Sequence, residues 1–178
     1  MSIRDVRIAK DFWLDIAFSR VCDRICRGSK GHVKRRNDGK TGESMKREIV
    51  LNKAREKDIP FIVELLKEND LPFSDIPDKR DSLFLARTDE AVIGIGGVEL
   101  LGEYGLLRSL AVRAHERKKG YGQAITRGLQ IHARHEGVRE IYLLTITAAP
   151  FFERLGFTRT NRDEAPQPIR GTSEFCGL

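Results

Sequence analysis

The chain has 178 residues, with 32 Lys and Arg against 26 Asp and Glu, which gives a net charge of +6. This length suits a single domain with a substantial core. No apolar run approaches the ~20 residues needed to span a bilayer, and the N-terminus lacks the apolar segment of a secretory signal. Three cysteines argue against a disulfide framework. We therefore expect a cytoplasmic protein that does not enter a membrane.

The positive charge is confined to one segment. Residues 27–47 contain eight basic residues and two acidic ones, so their net charge of +6 equals that of the whole chain. Glycines are frequent there and apolar side chains are scarce, and such a composition cannot bury a core. We predict that residues 27–45 are a disordered basic linker. A nucleic-acid-binding domain would carry its basic residues on a folded face, so nucleic acid is not favoured as a partner.

Residues 1–26 precede this linker and are predicted to be an N-terminal extension. Apolar residues between Asp11 and Cys26 form a loose helical stripe. The polar face of that stripe mixes both signs of charge, unlike the lysine-rich face of a membrane-surface helix. The stripe could pack on the domain or pair with a second chain, so a homodimer stays open. Residues 46–178 are predicted to form the functional domain.

The domain reads β-α-β-β-β-α-β-α-β from residue 46 onward. Apolar runs and turn signals predict strands at residues 49–51, 83–86, 92–100, 106–112, 141–146 and 173–176. One helix is predicted to follow an N-cap at Asp58, a long one to run from Gly120 to just before Gly137, and a short one to lie near residues 150–155. Strands on either side of the long helix should be parallel neighbours. The fold class is therefore a mixed α/β sheet with flanking helices.

The stretch from residue 107 to residue 123 carries the strongest functional signal. A strand runs through a basic turn into Gly120 and Gly122, where a helix begins. Glycines let the backbone approach a ligand, and the unpaired N–H groups of a first helical turn favour an anion. No Walker string occurs, and Ile125 stands where the dinucleotide fingerprint needs its third glycine. The pattern therefore indicates a phosphate-binding turn of another kind.

The string Arg117-x-x-Gly120-x-Gly122, which follows Leu110-Ala111-Val112, resembles the acetyl-CoA signature of the GNAT N-acetyltransferase superfamily. Residues 141–157 resemble its second hallmark, a strand that splays from the central one and leads through a helix to Leu-Gly-Phe. The resemblance covers residues 46 to 178. It implies a mostly antiparallel sheet with a splayed central parallel pair. It also implies transfer of acetyl from acetyl-CoA to a small-molecule amine, without a metal.

Two branches of the superfamily show further similarity. Leu-Leu-Arg-Ser-Leu-Ala-Val at residues 106–112 and Ile-Arg-x-Thr-x-Glu-Phe at residues 169–175 resemble the arsenic-resistance acetyltransferases. Thr-x-Thr-Ala at residues 145–148, with the aromatic pair after it, also resembles the acetyltransferase domain of glutamate N-acetyltransferases. The first branch implies an amino-acid-like or organoarsenical acceptor and the second implies glutamate. A non-catalytic acetyl-CoA-binding regulator is a third interpretation.

The resemblance assigns roles to individual positions. Backbone amides of residues 118–123 would bind the pyrophosphate of acetyl-CoA, basic side chains would add charged contacts, and the end of the central strand would pair with the pantetheine arm. The predicted cofactor-binding residues are Leu110, Ala111, Val112, Arg117, Lys118, Lys119, Gly120, Tyr121, Gly122 and Gln123. For the three basic ones, a solvated turn is the plain alternative.

Acceptor chemistry is predicted less directly. Most amines are protonated at neutral pH, so a general base is expected, and Glu99 is the candidate; otherwise it is a surface carboxylate. Arg108 and Ser109, just before the splayed point of the central strand, are predicted to bind the acceptor. Arg108 would grip a carboxylate or an arsenic oxyanion, or would pair with Glu99 or Glu103.

The remaining candidates follow the splayed strand. Thr145 and Thr147 would line the acceptor pocket or merely satisfy strand propensity. Many family members have a tyrosine acid where this chain has Phe152, so no catalytic acid is assigned.

Overall fold

The computed structural model describes residues 5–9 and 49–176, with residues 5–9 described as the backbone of one strand. The described residues form seven strands, namely β1 (Asp5–Ala9), β2 (Val50–Lys53), β3 (Leu83–Arg87), β4 (Val92–Leu101), β5 (Tyr104–Val112), β6 (Glu140–Thr145) and β7 (Thr158–Thr160). They also form the helices α1 (Ile59–Lys67), α2 (Tyr121–His135), α3 (Ala149–Glu153), α4 (Gln167–Arg170) and α5 (Ser173–Cys176). Short 3-10 turns lie at Glu56–Asp58, Arg80–Ser82, Ala114–Glu116 and Arg162–Glu164.

The strands make one sheet in the order β2-β3-β4-β5-β6-β1-β7. Every neighbouring pair in it is antiparallel except β5 and β6, which are parallel and are connected through α2. This arrangement confirms the predicted mixed α/β sheet. The first eight predicted elements are present in the predicted order, which runs from β2 through α1, β3, β4, β5, α2 and β6 to α3.

Helices cover both faces of the sheet. On one face α2 buries Ile125 and Leu129 against Leu107 and Leu143, as the apolar stripe of the long helix predicts. The other face is covered by α1, whose buried residues include Ile62 and Leu66, and by the C-terminal helices α4 and α5. The helix α2 ends where predicted, since Gly137 follows it with a φ of 88°.

The sheet includes a strand that the sequence pattern did not predict. The backbone of β1 pairs antiparallel with β6 on one side and with β7 on the other. It therefore fills the position between these two strands. The predicted helical segment at residues 11–26 and the linker at residues 27–45 lie outside the described residues.

The predicted C-terminal strand at residues 173–176 is wrong, because these residues form the helix α5. The side-chain oxygen and the carbonyl oxygen of Thr172 accept the N–H of Phe175 at 3.3 and 3.1 Å. This local capping bends the chain into a helical turn, which outweighs the strand propensity of threonine and phenylalanine. In the part of the chain that the structure describes, β7 is the last strand in chain order.

Asp58 keeps its predicted position in front of α1 but does not cap that helix. Its Oδ2 atom accepts the N–H of Arg55 at 2.9 Å and so closes the preceding 3-10 turn. Within the described residues, no helix is long and apolar enough to cross a membrane.

Candidate active site

The two central strands part halfway along their length. Pairing between β5 and β6 runs from Tyr104 and Glu140 to Leu107 and Leu143 and then stops. Both strands continue, β5 to Val112 and β6 to Thr145. The peptide groups of β5 beyond Leu107 therefore have no β6 neighbour, which confirms the predicted splayed pair.

A bulge in β5 begins at the same point. The register with β4 shifts by one residue between the pair Gly97 and Arg108 and the pair Ile95 and Ala111. Ser109 supplies the shift, with a φ of 54° that is uncommon for a residue with a side chain. The extra residue reverses the alternation of side chains, so Leu110 and Val112 pack on the α2 side while Ala111 packs on the α1 side.

The turn after β5 aims its backbone at this opening. Lys118 has a φ of 63° and Gly120 a φ of 85°, and Gly120 is the N-cap of α2. No side chain caps the helix, so the first-turn amides keep their hydrogen-bonding capacity for a ligand. A Cβ on Gly122 would lie 3.3 Å from the ring of Phe151, a tight contact that the ring would have to relieve by a small shift.

A cleft of about 620 Å³ lies between this turn and the segment after β6. Its lining residues are Leu110, Val112, Glu116, Arg117, Lys118, Gly120, Gly122, Gln123, Ala148, Phe151, Phe152, Arg154 and Leu155. The structure thus brings together seven of the ten residues predicted to bind the cofactor. The cleft combines a basic, amide-rich end with an apolar wall.

Three predicted cofactor residues have side chains outside the cleft lining. Ala111 packs in the core between the sheet and α1. Tyr121, the first residue of α2, is buried in the core between the sheet and α2. The Nζ atom of Lys119 lies 3.2 Å from a carboxylate oxygen of Glu116. Their predicted role rests on backbone atoms and stays a prediction.

The apolar wall was missed by sequence reasoning. Phe151 and Phe152 stack edge-to-face with ring centroids 5.0 Å apart, and Phe152 is 5.6 Å from Phe157 in the same manner. Phe152 is buried and has no hydroxyl to donate. The aromatic pair was visible in the sequence, but its spacing alone did not show which side would face a ligand.

Arg117 ties the basic turn to the rest of the domain. Its Nε atom donates to the carbonyl of Val112 at 3.3 Å, and Nη2 donates to Oδ1 of Asn69 at 2.8 Å. The side chain remains exposed. It is therefore held at the end of β5, with its positive charge on the rim of the cleft.

Arg108 occupies the opposite face of the sheet and organises a cluster of charges. It is only 4% exposed. Its Nη1 donates to Glu99 at 2.6 Å, and its Nη2 donates to both carboxylate oxygens of Asp75 at 2.7 and 2.8 Å. Its Nε lies 3.4 Å from Oε2 of Glu174. The predicted alternative in which Arg108 pairs with Glu99 is therefore present, and further carboxylates add to it.

Glu99, the predicted general base, is a member of this cluster and only 6% exposed. One of its carboxylate oxygens accepts from Arg108, and the other accepts from Lys79 at 2.6 Å. Both oxygens are thus engaged by cations. A proton acceptor needs an available lone pair, so Glu99 could act as the base only after an ion pair opened.

Glu174 was not predicted as a functional residue. Burial raises the pKa of its carboxyl to about 7. Arg108 lowers this pKa, but the neighbouring carboxylates of Glu99 and Asp75 raise it further, so the net shift is upward. Its Oε2 atom is buried and has no hydrogen-bond partner among the described residues. The sequence signal was the glutamate in the Ile-Arg-x-Thr-x-Glu-Phe string, which gave no position for the side chain.

The two threonines after the splayed strand differ in environment. The side-chain oxygen of Thr145 accepts the N–H of Ala148 at 3.1 Å and so shapes the turn into α3. Thr147 is exposed. Their predicted contact with the acceptor stays a prediction. Among the residues that the structure describes, no group of three or more His, Cys, Asp or Glu could hold a metal ion.

Comparison with known proteins agrees with this geometry. Residues 79–159 match the family model of the acetyltransferase (GNAT) domain. The uncharacterized N-acetyltransferase CT2212 of Chlorobaculum tepidum is 35% identical over 63 residues, which are 35% of this chain and 40% of that protein.

Solved structures show the same fold at lower identity. N-acetylglutamate synthase from Neisseria gonorrhoeae, complexed with coenzyme A and L-arginine, is 20% identical with a TM-score of 0.63, over 71% of this chain and 31% of the synthase. Rv2747 from Mycobacterium tuberculosis, in complex with CoA and NLQ, is 24% identical with a TM-score of 0.59, over 72% of this chain and 82% of that one. This chain thus matches less than half of the length of the Chlorobaculum protein and of the synthase. Its fold is that of the GNAT acetyltransferases, and residues 79–159 match their domain.

Proposed function

We propose that this protein is an N-acetyltransferase that moves the acetyl group of acetyl-CoA to the amine of a small molecule. The observation that carries the proposal is the parting of β5 and β6 after Leu107 and Leu143, next to the uncapped first turn of α2. An acyl thioester with a phosphate-bearing tail needs both features. The parted strands would hold the extended arm of the thioester, and the uncapped first turn of α2 would hold the anion.

The residues of the cleft fit acetyl-CoA. Backbone amides of residues 118–123 would bind the pyrophosphate, and the positive end of α2 favours that charge. Arg117 and the two lysines beside it would add charge-assisted contacts. The end of β5 that has no β6 neighbour, from Leu110 to Val112, would pair with the pantetheine arm as an additional strand, which leaves a backbone N–H to polarise the thioester carbonyl.

Departure of the thiolate is proposed to need no protein acid. Phe152 stands in the cleft wall and has no proton to give. A free thiol titrates near pH 8.5, so a CoA thiolate can leave and collect its proton from water.

The acceptor is proposed to be an amino-acid-like or organoarsenical amine, which would give the protein a role in arsenic resistance. The similarity of residues 106–112 and 169–175 to the arsenic-linked branch supports this proposal. Because Arg108 already binds internal carboxylates, an anionic group of the acceptor could reach it only by replacing one of them.

Glutamate is the second candidate acceptor. The structural likeness to the Neisseria N-acetylglutamate synthase supports it at the level of the fold. A regulator that binds acetyl-CoA without turnover is the alternative from another class, and Phe152 and the engaged carboxylate of Glu99 support it. A homodimer and a cytoplasmic location stay predictions, which sedimentation and cell fractionation would test.

Two measurements on the full chain test the proposal. Calorimetric titration with acetyl-CoA should give saturable binding to one site, and release of CoA thiol should follow addition of an amine from a panel of L-glutamate, L-lysine, butylamine and an arsenic-containing amino acid. Preference for glutamate would favour the second candidate. Binding without release by any amine would favour the regulator, and no binding at millimolar acetyl-CoA would contradict the proposal.

A further inference from the structure

The C-terminal helix α5 lies across the point where the central strands part. Phe175 is buried against Leu106 and Tyr142. These two residues are register partners in the parallel pair, one position before pairing ends at Leu107 and Leu143. The packing therefore holds Glu174, the residue before Phe175, beside the start of the split and on the sheet face opposite α2.

The Glu174 carboxylate has an unused oxygen at this point. Its side chain is 14% exposed, and Oε2 is buried 3.4 Å from Nε of Arg108 without making a hydrogen bond to any described group. The terminal nitrogens of Arg108 are engaged by Glu99 and Asp75. Oε2 thus has an ion-pair neighbour in Arg108 but no hydrogen bond, and a buried carboxylate oxygen without a hydrogen bond destabilises the fold, so it calls for an explanation beyond packing.

The charges around Glu174 favour a cation as a further partner of its carboxylate. Asp75, Glu99 and Glu174 face the two cations Arg108 and Lys79. With all five groups ionised, the cluster has one negative charge in excess. A further anion would increase that excess, whereas an ammonium group would neutralise it and would donate to the unused oxygen.

We propose that the Glu174 carboxylate binds the ammonium group of the acceptor and accepts its proton before acetyl transfer. The acceptor class is then a primary amine that arrives as a cation. This inference rests on the proposed N-acetyltransferase function.

The proton and electron balance of this step is simple. The ammonium gives one proton to Glu174, and the neutral amine attacks the thioester carbonyl carbon. The C–N bond forms while the C–S bond breaks, and the nitrogen loses its second proton. One of the two protons ends on the CoA thiolate, and the proton held by Glu174 passes to solvent. The products are an acetamide, CoA thiol and one released proton.

The titration of Glu174 suits this role. Burial raises the pKa of its carboxyl to about 7; Arg108 lowers this pKa, Glu99 and Asp75 raise it, and Lys79 lowers it. These groups come from β5, β4 and the loop before β3. A carboxyl that titrates near the working pH is both available as a base and strong enough to take a proton.

The test is the pH dependence of kcat/KM with the fastest amine of the panel. For the wild type we expect a rise up to about pH 7 and a plateau that ends where the amine itself titrates, near pH 10 for an alkylamine. For Glu174→Gln we expect the limb near pH 7 to vanish and kcat/KM at pH 7.5 to fall about 100-fold or more. The remaining rate should then rise with pH through the pKa of the amine, because only the neutral amine can react.

Controls separate a chemical role from a structural one. Asp163→Asn removes an exposed carboxylate from the same C-terminal arm and should leave the profile unchanged. Calorimetry should show that Glu174→Gln binds acetyl-CoA within twofold of the wild type. If Glu174→Gln does not fold, the wild-type profile decides, since the absence of a limb between pH 6 and 8 would overturn the inference.

The outcomes also separate this inference from the proposed function. Turnover by Glu174→Gln within threefold of the wild type, with the limb retained, would overturn the role of Glu174 and leave the acetyltransferase function standing. No turnover by the wild type with any amine would contradict the function itself, and the inference with it.

Discussion

At the scale of single residues, Arg108 is the side chain on which the charge cluster depends. Replacing it with methionine keeps much of its apolar volume but leaves the buried carboxylate of Glu174 without its cation and leaves Glu99 with Lys79 alone. Removing one partner of a buried ion pair costs about 3–5 kcal/mol of stability, and we expect a loss of that size for Arg108→Met in urea unfolding.

The matched control for Arg108→Met is Arg139→Met. Arg139 is exposed, and its Nη1 lies 3.7 Å from a carboxylate oxygen of Glu103. An exposed pair of this kind contributes at most about 1 kcal/mol. Equal effects of the two substitutions on the free energy of unfolding would show that the Arg108 cluster does not stabilise the fold.

Glu174 should make stability depend on pH. Its folded pKa of about 7 lies above the ordinary value of 4.5, so the fold favours the protonated form. The contribution of Glu174 is therefore complete below pH 4.5 and is lost as pH rises through 7. The loss amounts to about 3 kcal/mol in the free energy of unfolding.

Glu174→Gln tests this dependence, because glutamine cannot ionise. Urea unfolding at pH 5 and pH 8 should show that the variant loses less stability between the two values than the wild type does. At pH 8 the variant should be the more stable protein even though it is the less active one. Parallel changes with pH in both proteins would contradict the titration assigned to Glu174.

At the scale of secondary-structure elements, the start of α2 depends on Gly120. Its φ of 85° is strained for any residue with a side chain, at a cost of about 1–2 kcal/mol. We expect Gly120→Ala to turn the amides of the first helical turn away from the cleft and to weaken acetyl-CoA binding about tenfold in calorimetry.

Gly102→Ala is the control for that prediction. Gly102 has a φ of 70° in the turn between β4 and β5, and a Cβ there would meet no atom within 4 Å. The substitution should therefore lower stability by a similar amount without changing the affinity for acetyl-CoA. If both variants bind acetyl-CoA equally well, the turn before α2 is not the anion site.

The pairing of β4 with β5 depends on another glycine. A Cβ on Gly94 would lie 2.5 Å from the carbonyl oxygen of Ala111, which is too close for two neighbouring strands to keep their separation. We expect Gly94→Ala to lower the free energy of unfolding by about 1–3 kcal/mol in urea titration. Gly171→Ala is the comparison, since the contact there is an ordinary 3.5 Å; an equal loss in both would contradict this account.

At the scale of the whole molecule, local patterns in the sequence were enough to predict much of the architecture. The apolar stripe of α2, the glycine after it and the short apolar run of β6 each depend on neighbouring residues only, so they could be recognised one at a time. The function of the turn from β5 into α2 could be predicted for the same reason. Its backbone conformation, its exposed amides and its positive charge all come from residues that are close together in the sequence.

The remainder depends on contacts between distant parts of the chain. Arg108 is joined to Asp75 from a loop 33 residues earlier, and it meets Glu174 from the C-terminal arm. No periodicity records such side-chain pairings, so the pair of Arg108 and Glu99 could be offered only as an alternative, and the contact of Lys79 with Glu99 was not predicted. The backbone pairing of β1 with β6 and β7 is equally remote in sequence.

The most direct test of the central claim is amide hydrogen exchange on the full chain with and without acetyl-CoA. The claim is that backbone N–H groups at the start of α2, and those at the end of β5 that face away from β4, hold this ligand. We predict slower exchange at residues 118–123 and 110–112 when acetyl-CoA is added, with little change at residues 83–87 in β3. Saturating acetyl-CoA that leaves exchange at the first two segments unchanged would contradict the claim.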